Sequence, residues 1–324
     1  MSKVSVIIPT YNRAWCIRKA IDSILTQTFR DIEVLVIDDG STDETKAVVS
    51  NYSVPVRYYH QENRGFCAAC NAGINRADGD YITFLNSDDV LLKEALRLGV
   101  EVMDRHPEVG FTYGQGYHVD IDGRLLFVRK SVLFNDSCIA DGKELIRELL
   151  STFSLETNGM IVRRDCFDKV GKFPEEYGFA GESPWLVRLA KEYVFGYIAE
   201  PLTVVLHHPG QIFWTCDPRD AEAGYLATLA EIFEDRVLGE YFQSARDRTY
   251  STYYQWIAGR AYRKDMKMMR RYLMKAFVAY PQGFLGRGGI GNLYLYLKSF
   301  LPQSQMEVIS GFKQRLLGLR TAWG

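Results

Sequence analysis

Short apolar runs alternate with stretches of helical periodicity over the first 90 residues of the chain. Four runs predict buried parallel strands, and they are Val4–Ile8, Ile32–Ile37, Val54–Tyr59 and Asp80–Leu85. Helices are predicted between them, at Ile17–Leu25, Thr42–Tyr52 and Phe66–Arg76. Because the links are short, this order predicts an α/β fold with a doubly wound, mainly parallel sheet and right-handed crossovers.

The pattern changes further along the chain. Residues 91–206 combine predicted helices and strands, with a hairpin turn at Asp120–Gly123. From Asp220 onward, apolar residues recur at helical spacing almost throughout. We therefore predict an α/β domain over residues 1–210 and a helical C-terminal appendage over residues 211–324.

Charge and targeting signals narrow the possible functions. Lys and Arg number 39 and Asp and Glu 40, and this net charge of −1 gives no argument for nucleic-acid binding. The apolar run Val4–Ile8 is too short for a signal peptide, and no stretch approaches the ~20 apolar residues of a membrane-spanning helix. Six cysteines without an export signal are expected to be free thiols, and Cys67 and Cys70 lack further zinc ligands. The expected location is the cytoplasm.

Polar segments follow three of the predicted strands, at the edge where ligands bind in such sheets. They are Pro9–Asn12, Asp38–Asp43 and Asn86–Asp89. The aromatic ring of the first could stack on a base, and a carboxylate of the second could accept a hydrogen bond from a pyrimidine or a ribose. Carboxylates of the third suit a hard divalent cation beside a diphosphate. Each segment alone is also explained as a turn or a helix cap.

A fourth polar segment, Gly181–Pro184, begins a predicted helix. Ser183 is the expected cap and Pro184 the first helical residue, which leaves Glu182 exposed just outside the helix. There its carboxylate could act as general base toward an incoming hydroxyl. The alternative is an acidic residue that only interacts favourably with the helix dipole.

Together these motifs resemble family-2 glycosyltransferases of the GT-A fold. The similarity covers roughly residues 3–210, the expected GT-A catalytic domain. It is carried by Val4–Asn12, Asp38–Asp43, Glu62–Gly65 and Asn86–Asp89. The resemblance implies an inverting, metal-dependent transfer of a sugar from a nucleotide-diphosphate sugar to a hydroxyl, with Mg²⁺ or Mn²⁺ as cofactor.

The resemblance also implies which residues form the site. Glu182 takes the place of the catalytic base, if Arg188 is matched to the family's Arg six residues beyond it. Asp88 binds the metal, with His207 or His208 as a further metal or diphosphate contact. The residues implied to bind the nucleotide are Pro9, Thr10, Tyr11, Asp39, Arg64, Asn86 and Ser87.

Three positions depart from the family's pattern. Asn86 and Glu182 stand where Asp is usual, and Cys70 stands where Arg is common. Asp39 falls where a carboxylate meets the N3–H of a pyrimidine, which favours a UDP- or TDP-sugar as donor. The resemblance implies a saccharide or lipid-linked saccharide as acceptor, in surface polysaccharide synthesis.

Two other functions are compatible with parts of the sequence. A nucleotidyltransferase can use the same kind of sheet, but it typically has a Gly-rich, basic first loop where this chain has Pro9–Asn12. A non-catalytic sugar-nucleotide-binding protein would explain Asn86 and Cys70. The presence of Asp39, Asp88, Asp89 and Glu182 together argues against it.

The C-terminal region contains a basic segment, Arg260–Lys275, with seven Lys or Arg residues against the single acidic Asp265. Tyr, Met and Leu residues lie between these charges. Such a helix could bind the anionic inner face of a membrane, with Asn292–Leu297 and Phe300–Leu301 adding apolar contacts. The alternative is a helical appendage whose Met and Tyr residues form a core, with a structural or oligomeric role.

Overall fold

The computed structural model describes residues 3–152, 155–216, 218–262 and 264–282. The chain divides into two compact units, one ending at Leu238 and the other beginning at Gly239. The first unit contains a mainly parallel α/β sheet with helices around it, and the described part of the second unit is helical. The predicted fold class is therefore confirmed.

Among the described residues, the first unit contains a sheet of ten strands. They are β1 (Val4–Thr10), β2 (Ile32–Asp38), β3 (Val56–His60), β4 (Tyr81–Phe84), β5 (Val90–Leu91), β6 (Val109–Val119), β7 (Leu125–Arg129), β8 (Cys138–Ala140), β9 (Ile161–Arg163) and β10 (Val194–Leu206). The order is β3-β2-β1-β4-β9-β6-β10-β5, with β7 beside β6 and β8 beside β10. Strands β1 to β4 pair in parallel, as do β6 and β10.

Helices follow or separate most of these strands. In chain order they are α1 (Ile17–Leu25), α2 (Thr45–Val49), α3 (Phe66–Ile74), α4 (Ala95–Arg105), α5 (Gly142–Thr152), α6 (Arg164–Val170), α7 (Glu182–Glu192), α8 (Ile212–Thr215), α9 (Pro218–Phe233), α10 (Arg236–Tyr241), α11 (Arg246–Ala261) and α12 (Met266–Ala279). A 3₁₀ helix over Glu175–Gly181 directly precedes α7.

Strands β1 and β2 are buried along their whole length, because helices cover both faces of the sheet. On one face, Ile17 and Ile21 of α1 belong to the same apolar cluster as Val6. On the other, α3 lies so close to β1 that a Cβ on Gly73 would fall 2.5 Å from the side chain of Ile7. This two-sided burial explains why these strands read as continuous apolar runs.

Other local predictions agree with the structure to different extents. The hairpin is confirmed: the amide of Asp120 donates to the carbonyl of Arg124 at 3.0 Å, and Gly123 has a φ of 79°. The helix predicted over Thr42–Tyr52 is shorter and spans Thr45–Val49. It is shorter because Asp43 accepts hydrogen bonds from the amide and hydroxyl of Thr45, which form a turn before the helix.

The start of α7 differs from the prediction. Glu182 is the first helical residue and is half-buried, whereas the sequence predicted an exposed residue outside the helix. Ser183 is therefore not the cap, and Pro184 is the third residue of the helix. The preceding 3₁₀ helix explains the difference, because it continues into α7 and gives Gly181 right-handed helical angles (φ −66°, ψ −16°).

The first unit extends further than the boundary predicted near residue 210. Helix α9 packs against α7 and against the preceding 3₁₀ helix. A Cβ on Gly224 of α9 would lie 2.5 Å from the Cβ of Ala180, so glycine is needed for this close approach. The helical periodicity in the sequence therefore begins before the boundary between the two compact units.

The second unit has its own apolar core between α11 and α12. Met268, Met269 and Tyr272 of the basic segment are buried in it. The exposed residues of α12 recur at helical spacing, and they are Lys267, Arg271, Met274, Lys275 and Val278. Arg263 and the segments Asn292–Leu297 and Phe300–Leu301 lie outside the described residues. Along the described chain, no helix combines the length and hydropathy needed to cross a bilayer.

Candidate active site

A pocket of about 520 Å³ opens at the carboxyl ends of β1, β2 and β4 in the first unit. Its lining includes Pro9–Arg13, Asp39, Asn63, Phe66, Asn86–Asp88 and Gly210–Ile212. The three polar segments predicted to meet at this edge of the sheet therefore do meet. Parallel strands bring them together, because their carboxyl ends point the same way.

The buried carboxylate of Asp39 anchors the loop that follows β3. Its Oδ1 accepts hydrogen bonds from Gln61 Nε2 (2.8 Å) and from the amide of Arg64 (2.9 Å). Its Oδ2 accepts one hydrogen bond, from the amide of Gly65 at 2.8 Å. Gly65 has a φ of 90°, which favours glycine at this turn. Since each carboxylate oxygen accepts up to two hydrogen bonds, Oδ2 can accept one more beyond the bond it makes within the described part of the chain.

The loop after β1 is fastened to the loop after β2. Asn12, at a positive φ of 52°, donates its amide to Ser41 Oγ and accepts the amide of Thr42 on Oδ1, both at 2.8 Å. The amide of Arg13 donates to Thr45 Oγ1 at 3.0 Å. These bonds hold the backbone directly after Tyr11, whose half-exposed ring lines the pocket.

Asp88 lies between the imidazole of His208 and the guanidinium of Arg13. Its Oδ2 is 2.9 Å from Nε2 of His208 and 3.4 Å from Nε of Arg13. The amide of Gly210 donates to Nδ1 of His208 at 3.2 Å, so we assign the imidazole proton to Nε2, which donates to Asp88. Arg13 also donates to the carbonyl of Gly210 at 2.9 Å.

The structure separates the two candidate histidines. His208 contacts Asp88, whereas Nε2 of His207 lies 2.8 Å from Nδ1 of His118. Nε2 of His118 is in turn 3.1 Å from the buried carboxylate of Glu156. Burial and the neighbouring His118 lower the pKa of His207. Of the two, His208 is therefore the one placed beside the candidate metal residue.

Asp89 is surrounded by hydrogen-bond donors. Its Oδ1 accepts the amide of Leu206 at 2.9 Å, and its Oδ2 accepts the side-chain amides of Asn86 (3.2 Å) and Asn158 (2.8 Å). Burial and the charge of Asp88 raise its pKa. The amide of Asn86 thus fills a role that a carboxylate could not fill, which gives this departure from the family pattern a physical reason.

Glu182 lies at the first turn of α7 and is not among the residues that line the pocket. Burial raises the pKa of its carboxyl group to about 7, and the charge of Glu156 adds to this effect. A hydrogen bond from the side chain of Thr157 acts in the opposite direction. A carboxyl group with this pKa can exchange a proton near neutral pH.

Of the remaining predicted site residues, three lie in the pocket and Arg64 does not. Pro9, Thr10 and Ser87 line the pocket. The guanidinium of Arg64 is exposed and pairs with Glu175 at 2.7 Å, so only the backbone of Arg64 contributes, through Asp39.

Sequence reasoning missed four residues of the site: Arg13, His118, Glu156 and Asn158. Arg13 directly follows the Pro9–Asn12 motif, and this position was the only available signal. The other three lie outside the recognised motifs and reach the site only through long-range contacts.

Among the described residues, no group of three or more His, Cys, Asp or Glu side chains is arranged to hold a metal ion. Asp88 nevertheless offers a carboxylate oxygen, which is a ligand type that Mg²⁺ and Mn²⁺ accept. Both ring nitrogens of His208 form hydrogen bonds, Nε2 with Asp88 and Nδ1 with the amide of Gly210, so His208 would become a ligand only if Nε2 lost its proton and its bond to Asp88. The carboxylate fits a cation that draws its other ligands from a bound diphosphate and water.

Comparison with known proteins gives a consistent assignment. The model of the family described as "Glycosyl transferase family 2" matches residues 5–171. A Campylobacter jejuni protein named GalNAc(5)-diNAcBac-PP-undecaprenol beta-1,3-glucosyltransferase is 44% identical over 101 residues, which are 30% of this chain and 33% of that protein. Three rickettsial relatives, each described as an uncharacterized glycosyltransferase, are matched over only 18% to 23% of their length.

Two solved structures share the fold at low sequence identity. Staphylococcus aureus TarS 1–349, in complex with UDP-GlcNAc, has a TM-score of 0.69 and 18% identity, over 92% of this chain and 90% of that one. Mannosyltransferase PcManGT from Pyrobaculum calidifontis, in complex with GDP-Man and Mn²⁺, has a TM-score of 0.55 and 19% identity, over 99% and 87% of the two chains.

Proposed function

Because the chain belongs to glycosyl transferase family 2, we propose that it transfers a sugar from a nucleotide-diphosphate sugar to a hydroxyl group, with inversion at the anomeric carbon. The observation that carries this proposal is the single pocket lined by Tyr11, Asp39 and Asp88. It offers an aromatic ring, a hydrogen-bond acceptor and a cation-binding carboxylate at one edge of a parallel sheet.

The nucleobase and ribose bind at Pro9–Tyr11 and Asp39 in this proposal. The remaining lone pair of Asp39 Oδ2 accepts the N3–H of a uracil or thymine ring, and Tyr11 provides a face for stacking. A purine does not present the same donor in the same position. The UDP-GlcNAc complex of TarS, which shares the fold, supports a UDP- or TDP-sugar as donor.

The diphosphate binds beside Asp88 and Arg13. Asp88, with His208 beside it, would hold Mg²⁺ or Mn²⁺, and the Mn²⁺ complex of PcManGT supports such a cofactor. When bound, the cation supplies charge stabilisation to the leaving nucleoside diphosphate. Arg13, 3.4 Å from Asp88, contributes a second positive charge at the same place.

Glu182 accepts the proton of the acceptor hydroxyl in this mechanism. Its carboxyl group must be ionised to do so, and a pKa of about 7 makes it both available and basic enough near neutral pH. A single displacement from the face opposite the leaving group inverts the anomeric carbon. No covalent nucleophile is required.

The acceptor is a saccharide or a lipid-linked saccharide in surface polysaccharide synthesis. The name of the Campylobacter jejuni relative includes an undecaprenol-linked acceptor, which supports this class. We include a peripheral contact with the inner face of a membrane in the proposal, through the exposed face of α12 with its Lys267, Arg271 and Lys275. The cytoplasmic location and the assignment of residues 211–324 to acceptor, membrane or oligomer contacts are part of the same proposal.

A panel of nucleotide sugars tests the reaction class directly. The protein is incubated with UDP-, TDP- and GDP-sugars and Mg²⁺ or Mn²⁺, with and without a saccharide acceptor. Release of nucleoside diphosphate with sugar transfer supports the proposal. Release of pyrophosphate from nucleoside triphosphate and sugar phosphate would identify a nucleotidyltransferase. Tight nucleotide binding without turnover of any donor would identify a non-catalytic binder.

A further inference from the structure

The chain just before β9 contacts the Asn86–Asp89 turn of the candidate active site. We call residues Glu156, Thr157 and Asn158 the 156–158 segment. None of the three belongs to the motifs that identify the family in the sequence, and none lines the pocket. The side chain of Asn158 nevertheless reaches the turn that carries Asp88.

Asn158 holds the Asn86–Asp89 turn by two different bonds. Its Oδ1 accepts the backbone amide of Asn86 at 2.9 Å, and its Nδ2 donates to Oδ2 of Asp89 at 2.8 Å. The same Nδ2 lies 3.3 Å from the buried carboxylate of Glu156. The bonds to Asn86 and Asp89 fix the backbone on both sides of Asp88, the residue that faces His208 and Arg13.

The position of the 156–158 segment is itself fixed by the next residue. The amide of Gly159 donates to the carbonyl of Phe84, at the end of β4, at 3.0 Å. Gly159 has a φ of 74°, and a Cβ there would lie 3.0 Å from Leu91 and 3.2 Å from Thr203. The segment is therefore held in a fixed position against the sheet.

We propose that Asn158 is a positioning residue for donor binding: it holds the turn that presents Asp88 to the donor diphosphate. This inference rests on the proposed function of the site. It assigns Asn158 to donor binding and not to proton transfer, so its substitution changes donor affinity and leaves the pH dependence set by Glu182 in place.

Asn158→Asp tests the donor side. The new carboxylate still accepts the amide of Asn86, but it cannot donate to Asp89 and adds a negative charge beside it. We expect the Kd and KM of the donor nucleotide to rise ~10-fold or more, the scale expected when a buried acceptor loses its donor. The acid limb of the kcat profile stays in place. Asn51→Asp, on an exposed helix end, is the matched control and leaves these constants unchanged.

The measurements separate a positioning role from a general structural one. Thermal unfolding establishes that each variant folds, and Asn158→Ala provides a second variant without an added charge. Calorimetry with UDP, TDP and GDP plus Mg²⁺ gives donor affinity. Unchanged donor affinity in both folded variants would overturn the proposal, as would a fall in kcat without a rise in the Kd of the donor nucleotide.

Failure of the proposed function gives a different result. If the unmodified protein binds none of the three nucleotides, the proposed function fails. If it binds a nucleotide and both folded Asn158 variants bind that nucleotide equally well, the proposed function stands and the inference about Asn158 is wrong.

Discussion

Nε2 of His208 lies 2.9 Å from Oδ2 of Asp88, although the two residues are 120 positions apart in the chain. The contact joins the end of β10 to the turn after β4. Asp89 accepts a hydrogen bond from the amide of Leu206, and this bond fixes the strand end that precedes His208. A carboxylate and an imidazole are thereby held at one end of the pocket, beside Arg13.

The first prediction concerns the metal. Asp88→Ala is expected to abolish sugar transfer, because the carboxylate that holds the cation is lost. His208→Ala is expected to weaken Mn²⁺ binding more than His207→Ala does, since only His208 contacts Asp88. Metal titration by calorimetry and activity in excess chelator provide the measurements. Full activity in chelator, or a stronger effect of His207→Ala, contradicts the prediction.

The second prediction concerns Glu182. Glu182→Gln keeps the size of the side chain but cannot accept a proton, so turnover is expected to fall ~10²-fold or more while nucleotide affinity changes little. A turnover assay beside calorimetric titration checks this. If the Gln variant stays active, Glu182 has only a structural role, and the base lies elsewhere.

The third prediction concerns pH. In the unmodified protein, kcat is expected to rise as the pH increases through about 7, because Glu182 must lose its proton to act as base. Stability changes in the opposite direction. Folding raises the pKa of Glu182 from 4.5 to about 7, so the folded form binds this proton more tightly than the unfolded form does. The stability that the bound proton contributes is therefore lost as the pH rises from about 4.5 through 7. Thermal unfolding of the protein and of the Gln variant at pH 5 and pH 8 measures this difference.

The fourth prediction concerns Asn86. Asn86→Asp introduces the residue that is usual in the family, yet it is expected to lower the free energy of unfolding by ~1–3 kcal/mol and not to raise activity. The new carboxylate cannot donate to Asp89 and lies near Asp88, Asp89 and Glu156. Denaturant unfolding with a parallel activity assay checks this, and Asn51→Asp provides the control. Unchanged stability with higher activity would show that the donor role of Asn86 is unimportant.

The fifth prediction concerns the basic face of α12. The protein is expected to sediment with anionic vesicles at low salt and to be released at high salt. Reversal of Lys267, Arg271 and Lys275 to Glu is expected to abolish binding. Reversal of the exposed Lys46, Lys93 and Lys172, which changes the net charge equally, leaves it intact. Equal loss in both triple variants indicates a nonspecific charge effect, and no binding by the unmodified protein rejects the membrane contact.

Much of the fold could be predicted from local sequence pattern. Val4–Ile8 and Ile32–Ile37 are continuous apolar runs because both faces of β1 and β2 are covered, and the spacing of Ile17, Ile21 and Ile24 reflects one buried face of α1. The polar segments at Pro9–Asn12 and Asn86–Asp89 could be assigned to one edge, since the carboxyl ends of parallel strands share it.

The sequence by itself thus determined the four parallel strands β1 to β4, the edge of the sheet where the pocket opens, and the family to which the chain belongs. Only the tertiary structure distinguished His208 from His207, placed Arg13 beside Asp88, and brought Asn158 to the turn. It also decided where α7 begins, through the 3₁₀ helix before it. The physical reason is the separation along the chain over which each effect acts. Burial periodicity and turn chemistry act between near neighbours in the chain. Side-chain pairs such as Asp88 and His208 depend instead on how distant strand ends meet.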